Sequence, residues 1–267
     1  MAPLEESLRA RREGGGRAFV PYVTGGFPGV DAGLLRAMEA AGADAIEVGI
    51  PFSDPVMDGG VIQEASARAL EAGATPPAVL DTIARADLRV PVAVMTYANP
   101  VQRRGVGPFL ADARDAGVAG LIVPDLPVDE SADLERKAAD RGIDLVLLAA
   151  PGTDDRRVAE IARRSRGFVY CVATYGVTGA RERLEGTAQA VVEALRPHTD
   201  LPLLVGVGIG MPAQATEACA FADGVVVGSA LMARLVEADP DGAVALARAF
   251  RAAVPERNAS PAPAPHV

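Results

Sequence analysis

Eight short apolar runs, each followed by a stretch with helical spacing, constrain this chain more than any other feature. The runs fall at 18–24 (AFVPYVT), 45–50 (AIEVGI), 91–97 (PVAVMTY), 120–123 (GLIV), 144–149 (DLVLLA), 168–173 (FVYCVA), 203–206 (LLVG) and 224–228 (GVVVG). Helical patterns lie at 31–41, 61–72, 77–85, 107–116, 131–141, 154–165, 187–195, 211–220 and 229–253, with Asp31 and Ser131 placed to cap two of them. A further short amphipathic helix opens the chain at 3–12. Every connection is long enough for a parallel crossover. Eight such units in about 230 residues predict an α/β fold, a single closed (β/α)8 TIM barrel. An open doubly wound sheet is the alternative, but GGFPG after the first run is not a dinucleotide-binding G-x-G-x-x-G. The barrel, with its N-terminal helix, is expected to span 1–254. The Pro/Ala-rich tail, 255–267, is expected to be disordered.

Within this pattern 45–60, AIEVGIPFSDPVMDGG, is the stretch where chemistry is expected. Ile46, Val48 and Ile50 share one face of the strand, and Ala45, Glu47 and Gly49 the other. An ionised Glu among apolar strand residues costs several kcal/mol unless something compensates. Pro51 and Pro55 stiffen the loop that follows, and it ends on a second acid, Asp58. The plain alternative is that Glu47 pairs with an arginine and Asp58 caps the next helix.

Composition narrows the chemistry. A formal charge of −9 argues against nucleic-acid binding, and no apolar run reaches the ~18 residues of a membrane span. The N-terminus lacks a signal-peptide core, so the cytoplasm is the expected location. Lys137 is the only lysine, in a polar helical pattern, and His198 and His266 are the only histidines. A Schiff-base lysine, a histidine-based triad and a His-rich metal site are therefore not expected. Cys171 and Cys219, in apolar segments, read as buried thiols. Acid–base work falls to Asp, Glu or Tyr.

In a barrel the active site lies at the C-terminal ends of the strands. Tyr22, Tyr97, Tyr170 and Tyr175, all the tyrosines in the chain, fall near such an end or in the loop after it. With Phe52 they suggest a pocket for a flat aromatic group. The seventh and eighth loops read GVGIG and VGSA, where barrels hold phosphate on backbone N–H groups and a helix N-terminus. Gly208, Gly228 and Ser229 are the candidates, with Gly179 able to close the cradle. The alternative is that these glycines only make tight turns. The segment 174–186 is glycine-punctuated and weakly periodic, which predicts a mobile loop.

From 17 to 253 the chain resembles the α subunit of tryptophan synthase. The resemblance rests on AFVPYVTGG, IEVGIPFSDPVMDG, VMTYANP, VPDLPVDES, GFVYCVATYGVTGAR, GVGIG and DGVVVGSA. It implies retro-aldol cleavage of indole-3-glycerol phosphate to indole and glyceraldehyde 3-phosphate. It also implies a β-subunit partner in an α2β2 complex. Pyridoxal phosphate would sit in that partner, and no cofactor or metal in this chain. Glu47 matches the acid–base position, Asp58 the carboxylate beside the ring nitrogen, and Tyr170 a tyrosine next to the carboxylate. Tyr22, Ile62, Met95 and Val207 match the indole pocket. Gly179, Gly208, Gly228 and Ser229 match the phosphate cradle, and Thr178 a lid residue. Asp54 and Asp125 match rim positions that meet the partner. Gly60, Tyr175 and Val207 depart from the usual residues of the family. Three readings stay open: a subunit passing indole to its partner, a stand-alone indole-releasing lyase, and a catalytically weak activator.

Overall fold

Both faces of the short runs are buried, as a sheet covered by helices on one side and closed on itself on the other requires. The computed structural model describes residues 4–172 and 184–255. Its strands are β1 (Ala18–Thr24), β2 (Ile46–Gly49), β3 (Val92–Met95), β4 (Val118–Ile122), β5 (Asp144–Ala149), β6 (Val169–Val172), β7 (Leu203–Gly206) and β8 (Gly224–Val227). Each pairs in parallel with the next, and β8 pairs back onto β1, closing the predicted barrel.

Helix α1 (Leu4–Glu13) precedes β1, and the helices that follow are α2 (Ala32–Ala40), α3 (Gly60–Glu71), α4 (Pro76–Ala86), α5 (Ala98–Arg104), α6 (Val106–Asp115), α7 (Ala132–Ala139), α8 (Asp155–Arg164), α9 (Leu184–Leu195), α10 (Pro212–Ala218), α11 (Ser229–Val236) and α12 (Pro240–Ala253). Asp31 caps α2 as expected, accepting the Leu34 N–H at 2.9 Å. Ser131 does not cap α7. It holds the cap position, but its own backbone is already helical after a 3-10 turn at Val128–Glu130, and its hydroxyl makes no bond to an N–H of the first turn. The hydroxyl lies 2.9 Å from the Val128 carbonyl oxygen and accepts from Arg164 at 3.0 Å. Two further differences concern loops. Helix α5 has no apolar periodicity in its seven residues, ANPVQRR, and gives no helical signal in the sequence. Helix α9 begins at Leu184 rather than Thr187. Gly186 marks a loop end by composition, yet glycine costs a helix only about 1 kcal/mol.

The N-terminal ends of the strands are plugged. Leu4 and Leu8 of α1 are fully buried, and a Cβ at Gly120 or Gly167 would collide with the Leu4 side chain. One end of the barrel is thus filled by α1, and the cavity opens at the C-terminal ends. Pro255, where the tail was expected to start, still accepts the Arg17 N–H at 2.9 Å. The expectations for Tyr175, Thr178, Gly179 and the loop around them, and for the rest of the tail with His266, lie outside the described residues.

Candidate active site

Glu47 sits mid-strand with Tyr22 and Ala93 as its register partners on β1 and β3. Register partners in a sheet point to the same side. All three are buried, and Tyr22 and Glu47 line one cavity at the C-terminal end of the barrel. Glu47 is 1% exposed, and neither carboxyl oxygen has a hydrogen-bond partner among the described residues. No arginine among them pairs with it, so the plain alternative for Glu47 does not hold there. Burial pushes its pKa up to about 8, and the charge of Asp58 adds to the shift.

Asp58 reaches the same cavity from the loop after β2. It does not cap α3: the cap position is Gly59, without a side-chain bond. The carboxylate instead takes a hydrogen bond from the Tyr97 hydroxyl, Oη to Oδ2 3.0 Å. That hydroxyl also accepts the Met57 N–H at 3.0 Å. The Tyr97 ring stacks on Phe52 with centroids 5.1 Å apart. Burial raises the pKa of Asp58 to about 6, with the bond from Tyr97 pulling it down.

The cavity measures about 240 Å³ and is lined by Tyr22, Glu47, Asp58, Ile62, Met95, Tyr170, Val207, Gly208, Gly228 and Ser229. All ten are candidates from the sequence, and they come from β1, β2, β3, β6, helices α3 and α11, and the loops after β2, β7 and β8. Two glycines seat the tyrosines. A Cβ at Gly49 would strike the Tyr22 hydroxyl, and one at Gly206 the Tyr170 hydroxyl. Both tyrosine rings therefore lean over the neighbouring strand. At the far wall Val207 and Gly208 both have left-handed backbone, φ +68° and +89°. Glycine adopts this freely, but a β-branched residue pays of order 1–3 kcal/mol. Val207 is 47% exposed there. Gly228 caps α11 and Ser229 begins it, so the first turn of that helix borders the cavity.

Asp54 and Asp125 lie outside the cavity on the same rim, both exposed. Asp125 accepts the Ala98 N–H at 2.9 Å. Lys137 is away from the site on α7, paired with Asp133 at 2.6 Å. A shallow polar cleft of about 450 Å³ lies at the plugged end, between α1 and the residues leading into β6 and β7. The sequence missed Met57, Pro124, Leu148 and Val172 as lining residues. It noted Tyr97 only as one of four rim tyrosines, and nothing in the sequence shows that its hydroxyl meets Asp58.

A sequence model described as "Tryptophan synthase alpha chain" matches residues 8–259. The tryptophan synthase alpha chain of Carboxydothermus hydrogenoformans is 43% identical over 236 residues, covering 87% of this chain and 88% of that one. That of Synechococcus elongatus is 41% identical over 259 residues, covering 95% and 97%. Among solved structures, a chain of tryptophan synthase from Mycobacterium tuberculosis superposes with a TM-score of 0.86 at 37% identity, covering 94% of this chain and 98% of that one. Tryptophan synthase subunit alpha from Legionella pneumophila superposes with a TM-score of 0.85 at 31% identity, covering 95% and 98%. With matches of this extent joined to a closed eight-stranded barrel, the chain belongs to the tryptophan synthase alpha chain family.

Proposed function

We propose that this chain cleaves indole-3-glycerol phosphate to indole and glyceraldehyde 3-phosphate by carboxyl acid–base catalysis. One observation carries the reading: two carboxyl groups share a cavity, one pushed up to about 8 and the other to about 6. At neutral pH Glu47 is then a carboxylic acid and Asp58 a carboxylate, which assigns their roles.

The reaction needs a proton on indole C3. Glu47 donates it, leaving a carboxylate and a cationic ring with its charge on the ring nitrogen. Asp58 stabilises that charge, and does so more strongly because its carboxylate is itself partly buried. The Glu47 carboxylate next removes the proton from the hydroxyl on the carbon attached to the ring. The carbon–carbon bond breaks, its electrons return to the ring, and Glu47 is protonated again. No net proton is consumed. Tyr22, Ile62, Met95, Tyr170 and Val207 form the apolar walls for the indole, with Tyr170 keeping the ring against the acid. Gly208, Gly228 and Ser229 hold the phosphate, with Gly179 and Thr178 contributing from the segment outside the described residues.

These proton transfers require nothing beyond the two carboxyl groups, so we assign no cofactor to this chain. Pyridoxal phosphate belongs to a β partner that takes up the indole, in an α2β2 complex docked on the rim of Asp54 and Asp125. Cys171 and Cys219 are free and buried, as suits the cytoplasm, where we place the complex. No helix among the described residues is long and apolar enough to cross a membrane. We take 1–254 as the barrel domain and 255–267 as a tail. The test is indole release from indole-3-glycerol phosphate by the purified chain, alone and with a β subunit. Release in neither case would overturn the reading.

A further inference from the structure

Asp58 must point into the cavity, yet it sits on a loop rather than a strand. What fixes it is Tyr97. This residue lies just past β3, is 3% exposed, and spends its hydroxyl on two successive residues of the β2 loop. It accepts the backbone N–H of Met57 and donates to the carboxylate of Asp58, each at 3.0 Å. Its ring meets the same loop again at Phe52. The loop is therefore held at both ends by one side chain.

The next residue carries the connection further. Tyr97 is the cap residue of α5 and makes no side-chain cap bond, so the first N–H groups of that helix need an outside acceptor. Asp125, on the loop after β4, accepts the Ala98 N–H at 2.9 Å. Three adjacent loops, those after β2, β3 and β4, are thus tied in sequence: Asp125 to Ala98, Tyr97 to Met57 and Asp58.

We propose that Tyr97 is a positioning residue for the cleavage reaction, and that with Asp125 it forms a brace that sets Asp58 from the outer rim. The proposal deepens the function proposed above and rests on Asp58 being the carboxylate that faces the ring. The hydroxyl is the polar part of the brace. A phenylalanine would keep the ring, the burial and the stack on Phe52 while releasing both polar contacts. Asp58 would then lose its donor and swing within a half-buried loop. A carboxylate deprived of a donor also holds its proton more tightly, so the pH at which it ionises rises.

The test uses the full chain with Tyr97→Phe and Asp125→Ala. Tyr97→Phe is expected to lower kcat at least about tenfold, within the range that a small misplacement of a catalytic group costs. KM should stay within about threefold, as expected when a transition-state contact is lost. The acid limb of kcat/KM should move to higher pH, and Asp125→Ala should move the same limb the same way by less. A merely structural role would lower thermal stability and leave the limb in place, which would overturn the proposal. Carboxyl NMR titration of Asp58 in wild type and Tyr97→Phe gives a readout independent of turnover. An upward shift of its midpoint supports the brace, and an unchanged midpoint overturns it. Absence of indole release by the wild-type chain would defeat the proposed function, while the titration would still decide the brace.

Discussion

Tyr22 and Glu47 are register partners on β1 and β2, and both side chains enter the cavity at the open end of the barrel. The pairing places a large ring beside the acid, with little water left to solvate a charge. Burial is the main reason that Glu47 keeps its proton to about pH 8. Asp58, on its loop and held by Tyr97, ionises near 6. The two groups differ because one is on a strand inside the barrel and the other on a polar loop at its mouth.

A bell-shaped pH profile follows. With the roles proposed above, the reaction needs Asp58 ionised and Glu47 protonated. Below about 6 Asp58 gains a proton, and above about 8 Glu47 loses one. The profile of kcat/KM should therefore peak near pH 7, with limbs close to those values. Initial rates of indole release between pH 5 and 10 measure it. A profile still rising at pH 10 would show that no protonated carboxyl is required.

The same shift affects stability. Glu47 has a folded pKa of about 8 against an ordinary value of 4.5, so the folded state binds more protons between those limits. Stability should then fall as pH rises from about 4.5 through 8. Glu47→Gln removes this dependence. Its melting temperature should exceed that of wild type at pH 8, and the difference should shrink towards pH 4.5. Parallel melting curves at all pH values would mean that Glu47 is not dry.

The fold was legible because strand and helix periods alternate cleanly, and a closed parallel barrel follows from eight such units. Glu47 was legible because a carboxylate among Ile46, Val48 and Ile50 needs a reason. Gly208, Gly228 and Ser229 were legible as cavity residues because the architecture fixes which loops border its open end. Helix α5 was not, since ANPVQRR has no apolar stripe and its place is set by packing against neighbours. Nor was the Tyr97–Asp58 bond, which joins residues 39 apart. The parallel pairing of β2 with β3 brings those two loops side by side, and no local spacing encodes it.

Gly208 gives a test of the phosphate end. Its φ of +89° is one that a β-branched residue tolerates poorly. Gly208→Val should cost of order 1–3 kcal/mol in local strain and move the backbone that borders the cavity. Binding of glyceraldehyde 3-phosphate should weaken much more than binding of free indole, by calorimetry. Equal loss for both ligands would point to damage of the whole barrel.

Asp54 tests the partner surface. It is exposed on the loop that also carries Asp58. Asp54→Lys should lower the activation that a β subunit confers, and weaken the complex in sedimentation. Full activation and unchanged association would place the partner elsewhere.

The most direct measurement is single-turnover cleavage of indole-3-glycerol phosphate by Glu47→Gln. Glutamine keeps the size of the side chain and cannot donate or accept the proton. Substrate should still bind while cleavage falls by ~10²–10⁴-fold, the usual cost of removing a general acid–base group. Cleavage within about threefold of wild type, far short of any general acid–base loss, would contradict the assignment of Glu47.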